Sequence, residues 1–161
     1  MRIMFDSTTP MQSIPLTAEM VATYCNGHIG VVSLHDVKAR WPNAKHVRIN
    51  VNGDPNFGDC LDVETGDATP DTLDGWAKAR LKNGVPPENL AVYCNRTTLP
   101  AVQAATDLKL FHWVATLDGT LAIPGYHPLV APAAVQAINA TMAGVNVDVS
   151  LVFEDAWHAV T

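Results

Sequence analysis

Eight short apolar runs succeed one another through the 161 residues, and most end in turn chemistry. They are Ile3 to Phe5, Met20 to Tyr24, His46 to Val51, Cys60 to Val63, Leu90 to Tyr93, Phe111 to Ala115, Ala134 to Ile138 and Val145 to Phe153. Most are rich in Val, Ile, Leu or aromatic residues. Several are continuous rather than alternating, which is how strands buried on both faces of a parallel sheet read. Ten glycines and eleven prolines are too many for a helical bundle and too scattered for low complexity. They fit many short elements joined by tight turns.

Helical signals fall between only some of the runs. Ser33-Leu34-His35-Asp36 has capping-box spacing and predicts a short helix through Val37, Ala39 and Arg40, stopped near Pro42. Thr69-Pro70-Asp71 supplies an N-cap, a proline at the first helical position and an acid in the favourable field of the helix N-terminus. Leu73, Trp76, Ala77, Arg80 and Leu81 follow at helical spacing, and Gly84 ends the segment. A third helix is predicted from Pro100 to about Asp107. A complete (β/α)8 barrel takes ~250 residues and seldom fewer than ~200. The expected fold is therefore α/β: a reduced, parallel (β/α) barrel of TIM type, with about eight strands and few helices, forming one domain over residues 1–161. A doubly wound sheet is the alternative, although no Gly-rich phosphate loop follows the first run.

Composition excludes several functions. Ten Lys and Arg against sixteen Asp and Glu give a net charge of −6, and no basic run stands out, so nucleic acid is not an expected partner. The first residues lack the apolar stretch of a signal peptide, and no run approaches the ~20 residues of a membrane span. Cys25, Cys60 and Cys94 form no CxxC pair and lie in or beside apolar runs. They read as buried thiols, or as one disulfide and a free thiol. His28, His35, His46, His112, His127 and His158 never adopt HxH or HExxH spacing, so no metal or other cofactor is expected. Trp41, Trp76 and Trp157 read as packing residues. Ser7 and Ser150 lack the Gly-x-Ser-x-Gly elbow of a serine hydrolase.

The carboxylates fall in less ordinary places. Asp6 ends the first run, Asp62 and Glu64 flank Val63 at the end of the fourth, and Asp148 interrupts the last. Residues i and i+2 of a strand share a face, so Asp62 and Glu64 project together. In a parallel barrel the C-terminal strand ends share one rim, and strands one and eight are neighbours. Asp6, Asp62, Glu64 and Asp148 are expected to meet there. A lone acid at a strand end is ordinarily a turn residue or half of an ion pair. An acid inside a run as apolar as 145–153 needs a partner, a metal or a chemical role, because burying it unpaired is costly.

Phe5-Asp6-Ser7, Leu61-Asp62-Val63-Glu64, Ala91-Val92-Tyr93-Cys94-Asn95, His112-Trp113-Val114-Ala115 and Val147-Asp148-Val149-Ser150 together resemble glycoside hydrolase family 25, the Chalaropsis-type lysozymes common among phage endolysins. The matches run in order along nearly the whole chain. Leu61 to Pro70 also resembles short proteins of actinobacteria and their phages with the same barrel. The first motif, Asp6-Ser7-Thr8-Thr9, departs from the family's more usual Asp-x-Ser followed by Gln.

The resemblance implies a flattened barrel and metal-free hydrolysis of the β-1,4 bond between N-acetylmuramic acid and N-acetylglucosamine. It implies Glu64 as the general acid. Four acids crowded on one rim cannot all ionise cheaply, and Glu64 is the carboxyl expected to have the raised pKa. Asp62 would assist the oxocarbenium-like transition state, and Asp6 and Asp148 would orient substrate and tune the pair. Tyr93 and Trp113 would line the cleft, with His112 beside Trp113 as a further substrate-binding candidate. The implied partner is peptidoglycan or a related aminosugar polysaccharide, with phage or virion partners besides. The implied location is the cytoplasm of an infected or lysogenic bacterium, or the virion. The alternative is a phage-encoded structural or wall-binding protein with the same barrel and little or no catalysis.

Overall fold

The computed structural model describes residues 1–28, 30–121, 134–142, 144–153 and 157. All eight apolar runs are strands: β1 (Arg2–Asp6), β2 (Met20–Tyr24), β3 (Lys45–Asn50), β4 (Cys60–Val63), β5 (Ala91–Asn95), β6 (Phe111–Ala115), β7 (Ala134–Met142) and β8 (Val145–Val152). They close in chain order into a single barrel. Four α-helices accompany them among the described residues: α1 (Pro10–Ser13), α2 (Leu34–Arg40), α3 (Pro70–Lys82) and α4 (Leu99–Ala104). The reduced barrel expected from the sequence is thus the observed architecture, and the doubly wound sheet is not.

One expectation is corrected. Strands β1 to β7 pair in parallel, but β8 runs antiparallel to both β7 and β1. The reason is the length of the connection. Met142 pairs with Val145, so only two residues link β7 to β8, whereas a parallel crossover takes about a dozen. The rim is therefore built from the C-terminal ends of the parallel strands and the N-terminal half of β8. That is why Asp148 lies early in its strand while Asp6 ends its own.

Sequence signals explain the helices. Ser33 caps α2, its Oγ accepting from the Asp36 N–H at 3.1 Å. Pro70 opens α3, and Leu73, Trp76 and Ala77 bury its inner face against Leu61, Val63 and Val92. The α4 helix stops short of the expected end near Asp107. Just beyond it, the Thr106 hydroxyl donates to Asp74 Oδ1 of α3 at 2.8 Å. Strand alternation divides the core. Met4, Ala22, Val47, Ile49, Cys60, Tyr93, Trp113 and Trp157 pack in one cluster inside the barrel. Two outer clusters gather around α3 and α4 and around α2. All three cysteines are free thiols, Cys60 and Cys94 buried and Cys25 half-buried.

The β3–β4 crossover has no helix, and the outward residues of β3 are correspondingly polar: His46, Arg48 and Asn50. Asn50, fully buried, is a hub of this crossover. Its Nδ2 donates to the carbonyls of Asp54 (2.7 Å) and Phe57 (2.8 Å), and its Oδ1 accepts from the N–H groups of Gly53 (2.9 Å) and Asn52 (3.1 Å). Gly58 has φ +77°, and a Cβ there would stand 2.7 Å from Asn50 Cβ. Asn50→Ala strands several buried polar groups at once. It is expected to cost about 2–4 kcal/mol in chemical denaturation; a loss below about 1 kcal/mol would show that the loop holds itself.

Candidate active site

The four acids meet at one mouth of the barrel. Asp6 pairs directly with Asp148 across the β1–β8 ladder. Ser7 pins that junction: its Oγ donates to the Asn146 carbonyl at 2.9 Å and accepts from the Thr9 N–H at 3.1 Å. Asp62 is inward-facing on β4, and Glu64 sits one residue past the strand's end. A turn then forms, in which the Asp67 N–H donates to the Glu64 carbonyl (3.1 Å) and the Ala68 N–H to the Asp62 carbonyl (3.2 Å).

Burial orders these carboxyls. Asp6 and Asp62 are each 4 % exposed, while Glu64 and Asp148 are partly exposed. Burial pushes the Asp6 carboxyl well above the usual carboxylate range, and the negative charges of Asp148, Asp62 and Glu64 add to the effect. Burial, then Glu64 and Asp67, push Asp62 up to about 8. Glu64 is also raised, by burial and by Asp67, against a side-chain hydrogen bond from Asn95. Asp148 is raised by burial, against hydrogen bonds from Gln136 and Asn139. The raised pKa expected of Glu64 is present, but the stronger hold on a proton belongs to Asp62 and Asp6, which lie deeper. Asp6, Asp62 and Asp148 each also keep one oxygen buried without a hydrogen-bond partner. Three such orphans at one place mark a site rather than a packed core.

Tyr93 faces all four acids, whose charges raise its phenol pKa after burial does. Trp113 lies beneath rather than in a cleft. It is 1 % exposed, packs edge-on against Tyr93 at 4.7 Å, and donates its indole N–H to Ser150 Oγ at 2.9 Å. Its position therefore corrects the cleft-lining expectation to one of support for Tyr93. His112 alternates with Trp113 along β6 and so takes the opposite face, with Val114, away from the acids. Among the described residues no three His, Cys, Asp or Glu side chains are grouped to hold a metal ion. His127 and His158 lie outside the described residues.

Sequence reasoning missed five members. Tyr24 ends β2 inside the barrel, its phenol raised by burial and then by Asp6, Asp62, Asp148 and Asp67. Asn95 ends β5, two residues beyond Tyr93 on the same face. Its Oδ1 accepts from the Thr98 N–H (2.9 Å) and hydroxyl (3.0 Å), which leaves Nδ2 for Glu64. The available signal was a polar or hydroxylic residue closing an apolar run. Asp67 adds a fifth carboxyl. Gln136 and Asn139, three apart, would point to opposite faces of a regular strand. A register shift between Gln136 and Ile138 brings both onto Asp148.

No protein-family model and no curated protein sequence matches the chain. Solved structures do. The glycosyl hydrolase 25 GHIP of Streptococcus pneumoniae, described as a virulence factor participating in host cell invasion, is similar with a TM-score of 0.64 at 12 % identity, over 97 % of this chain and 89 % of that one. The Tat-secreted protein Rv2525c of Mycobacterium tuberculosis, in complex with L-tartrate, is similar with a TM-score of 0.58 at 14 % identity, over 98 % of each chain. The barrel is thus one that a glycosyl hydrolase 25 shares, at the level of fold.

Proposed function

We propose that the protein is a glycoside hydrolase that cleaves a β-1,4 bond in an aminosugar polymer, with peptidoglycan as the substrate class. The observation that carries this reading is the convergence of four carboxyls, from β1, β4 and β8, on one mouth of a barrel of this fold. Glycoside hydrolysis needs one carboxyl that keeps its proton beside one that is ionised. Asp62 and Glu64 meet that need between the ionisation of Glu64 and that of Asp62 at about 8. In that interval the pair holds one proton and one charge. A sugar ring laid over the rim takes water from Glu64 and changes little around Asp62, which is already buried. The pair's proton then shifts toward Glu64, the carboxyl within reach of a glycosidic oxygen. Glu64 gives that proton to the leaving oxygen, and the negative charge left on Asp62 favours the developing oxocarbenium ion. Water then adds to the anomeric carbon and its proton returns to the carboxylate pair. Asp148, held by Gln136 and Asn139, and the Tyr93 ring orient the sugar.

The test is release of reducing ends from purified bacterial walls and from a soluble chitooligosaccharide, measured against pH. The rate is expected to rise as Glu64 ionises and to fall as Asp62 loses its proton near about 8. A rate that still climbs at about pH 9 contradicts a carboxylic proton donor. The 4 % exposure of Asp6 and Asp62 favours a second reading, a glycan-binding module with little turnover. A folded protein that sediments with walls yet frees no reducing ends at any pH supports it.

A further inference from the structure

The helix missing from the β3–β4 crossover leaves a groove on the outside of the barrel, between the start of α2 and the C-terminal end of α3. Its cavity of about 660 Å3 is the size of a small-ligand site. Arg48 of β3 and Arg80 of α3 line it, with Val31, Phe57, Val85 and Pro86 as an apolar wall.

Arg48 is only 9 % exposed. Its guanidinium donates to Thr23 Oγ1 and to the Val32 carbonyl, both at 2.6 Å, and both partners are neutral. Among the described residues no carboxylate stands within ion-pair distance of it. Asp59 lines the same cavity, 4 % exposed, with its Oδ2 buried and without a partner. Burial raises its pKa to about 6, against the pull of Arg80 and Arg48, so it is largely ionised at neutral pH. Two guanidiniums and one carboxylate leave a single positive charge in a chain whose net charge is −6. A buried cation short of a counter-ion is costly, and a planar carboxylate fits a guanidinium fork.

We propose that this groove binds a small organic monocarboxylate, its carboxylate against Arg48 and Arg80 and its apolar body along Val31, Phe57, Val85 and Pro86. The site is independent of the rim, because Arg48 faces outward from β3 while the acids face inward, and the acidic mouth repels anions.

Calorimetric titration of the full chain with 4-phenylbutyrate and with the neutral 4-phenylbutyramide tests this. The carboxylate is expected to bind at least about tenfold more tightly than the amide, which has the same apolar body but no charge and a donor NH2 in place of one acceptor oxygen. Arg80→Met, on a partly exposed position, is expected to erase most of that preference. Asp59→Asn removes the competing charge and is expected to tighten carboxylate binding several-fold. Arg48→Met is expected to abolish binding; where that variant fails to fold, Arg48→Lys, which keeps the charge but loses the planar fork, is expected to weaken binding several-fold. Equal affinity for the two compounds overturns the proposal, as does a preference that neither Arg80→Met nor Asp59→Asn alters, or no heat up to about 10 mM ligand.

Discussion

Glu64→Gln is expected to lower the release of reducing ends from wall glycan by about 10^2- to 10^4-fold, the usual contribution of a positioned general acid. The amide keeps the shape of the side chain and can still accept the Asn95 hydrogen bond, but it has no proton to give. Glu64 lies past the end of β4 and is partly exposed, so the fold does not depend on it. Circular dichroism and the unfolding midpoint should therefore match the parent. Initial rates are best compared below about pH 8, where Asp62 still holds its proton. Full activity in this variant would remove Glu64 from the mechanism.

Stability is expected to fall as pH rises from the usual aspartate value of 3.8 to about 8, and Asp62→Asn should abolish much of that fall. In this window the folded chain keeps the Asp62 proton while the unfolded chain loses it, so the folded state binds more protons and loses ground as pH rises. A tenfold difference in proton affinity between the folded and unfolded chain is worth ~1.4 kcal/mol, so the gap at Asp62 amounts to several kcal/mol once this carboxyl is forced to ionise. Asp6 acts in the same direction for the same reason, and Asp59, Glu64 and Asp148 add to it. Asp74 and Asp118, held low by hydrogen bonds from Lys78 and Arg96, act oppositely at the surface. Asp62→Asn should therefore stabilise the protein at pH 8 by more than about 2 kcal/mol, and much less at pH 4, while reducing hydrolysis. Urea denaturation at the two pH values decides it. A parent whose stability is flat or rising over this interval contradicts the buried, protonated Asp62.

The strands were legible because strands enclosed on both faces are dominated by apolar residues, and most of the eight runs are rich in Val, Ile, Leu or aromatic residues. Strand direction was not, since Val145 to Val152 reads alike in either sense; the signal lay in the few residues before Val145. Asp6, Asp62, Glu64 and Asp148 were legible because a carboxylate at the end of, or inside, an apolar run conflicts with its surroundings. The weighting of their proton affinities was not, because it depends on depth below the rim. Trp113 could be placed on a strand but not above or below Tyr93. The pairing of Gln136 and Asn139 on Asp148 depends on an irregularity that no periodicity announces. The absent helix between β3 and β4 was visible as a shortage, but the polar face it uncovers became meaningful only with Arg48 and Asp59 in place.

The seam between β1 and β8 joins Ser7 to Asn146, 139 positions away. Asp6 and Asp148 therefore acquire each other only when the ring shuts, a step that must bear the chain entropy of a very long loop. Strands β2 to β6 can assemble through nearer neighbours beforehand. During refolding, the fluorescence of Trp76, packed in the outer layer against β4, β5 and β6, should then recover before turnover does. Enzymatic competence would serve as a clock for the last stitch of the barrel rather than for its collapse.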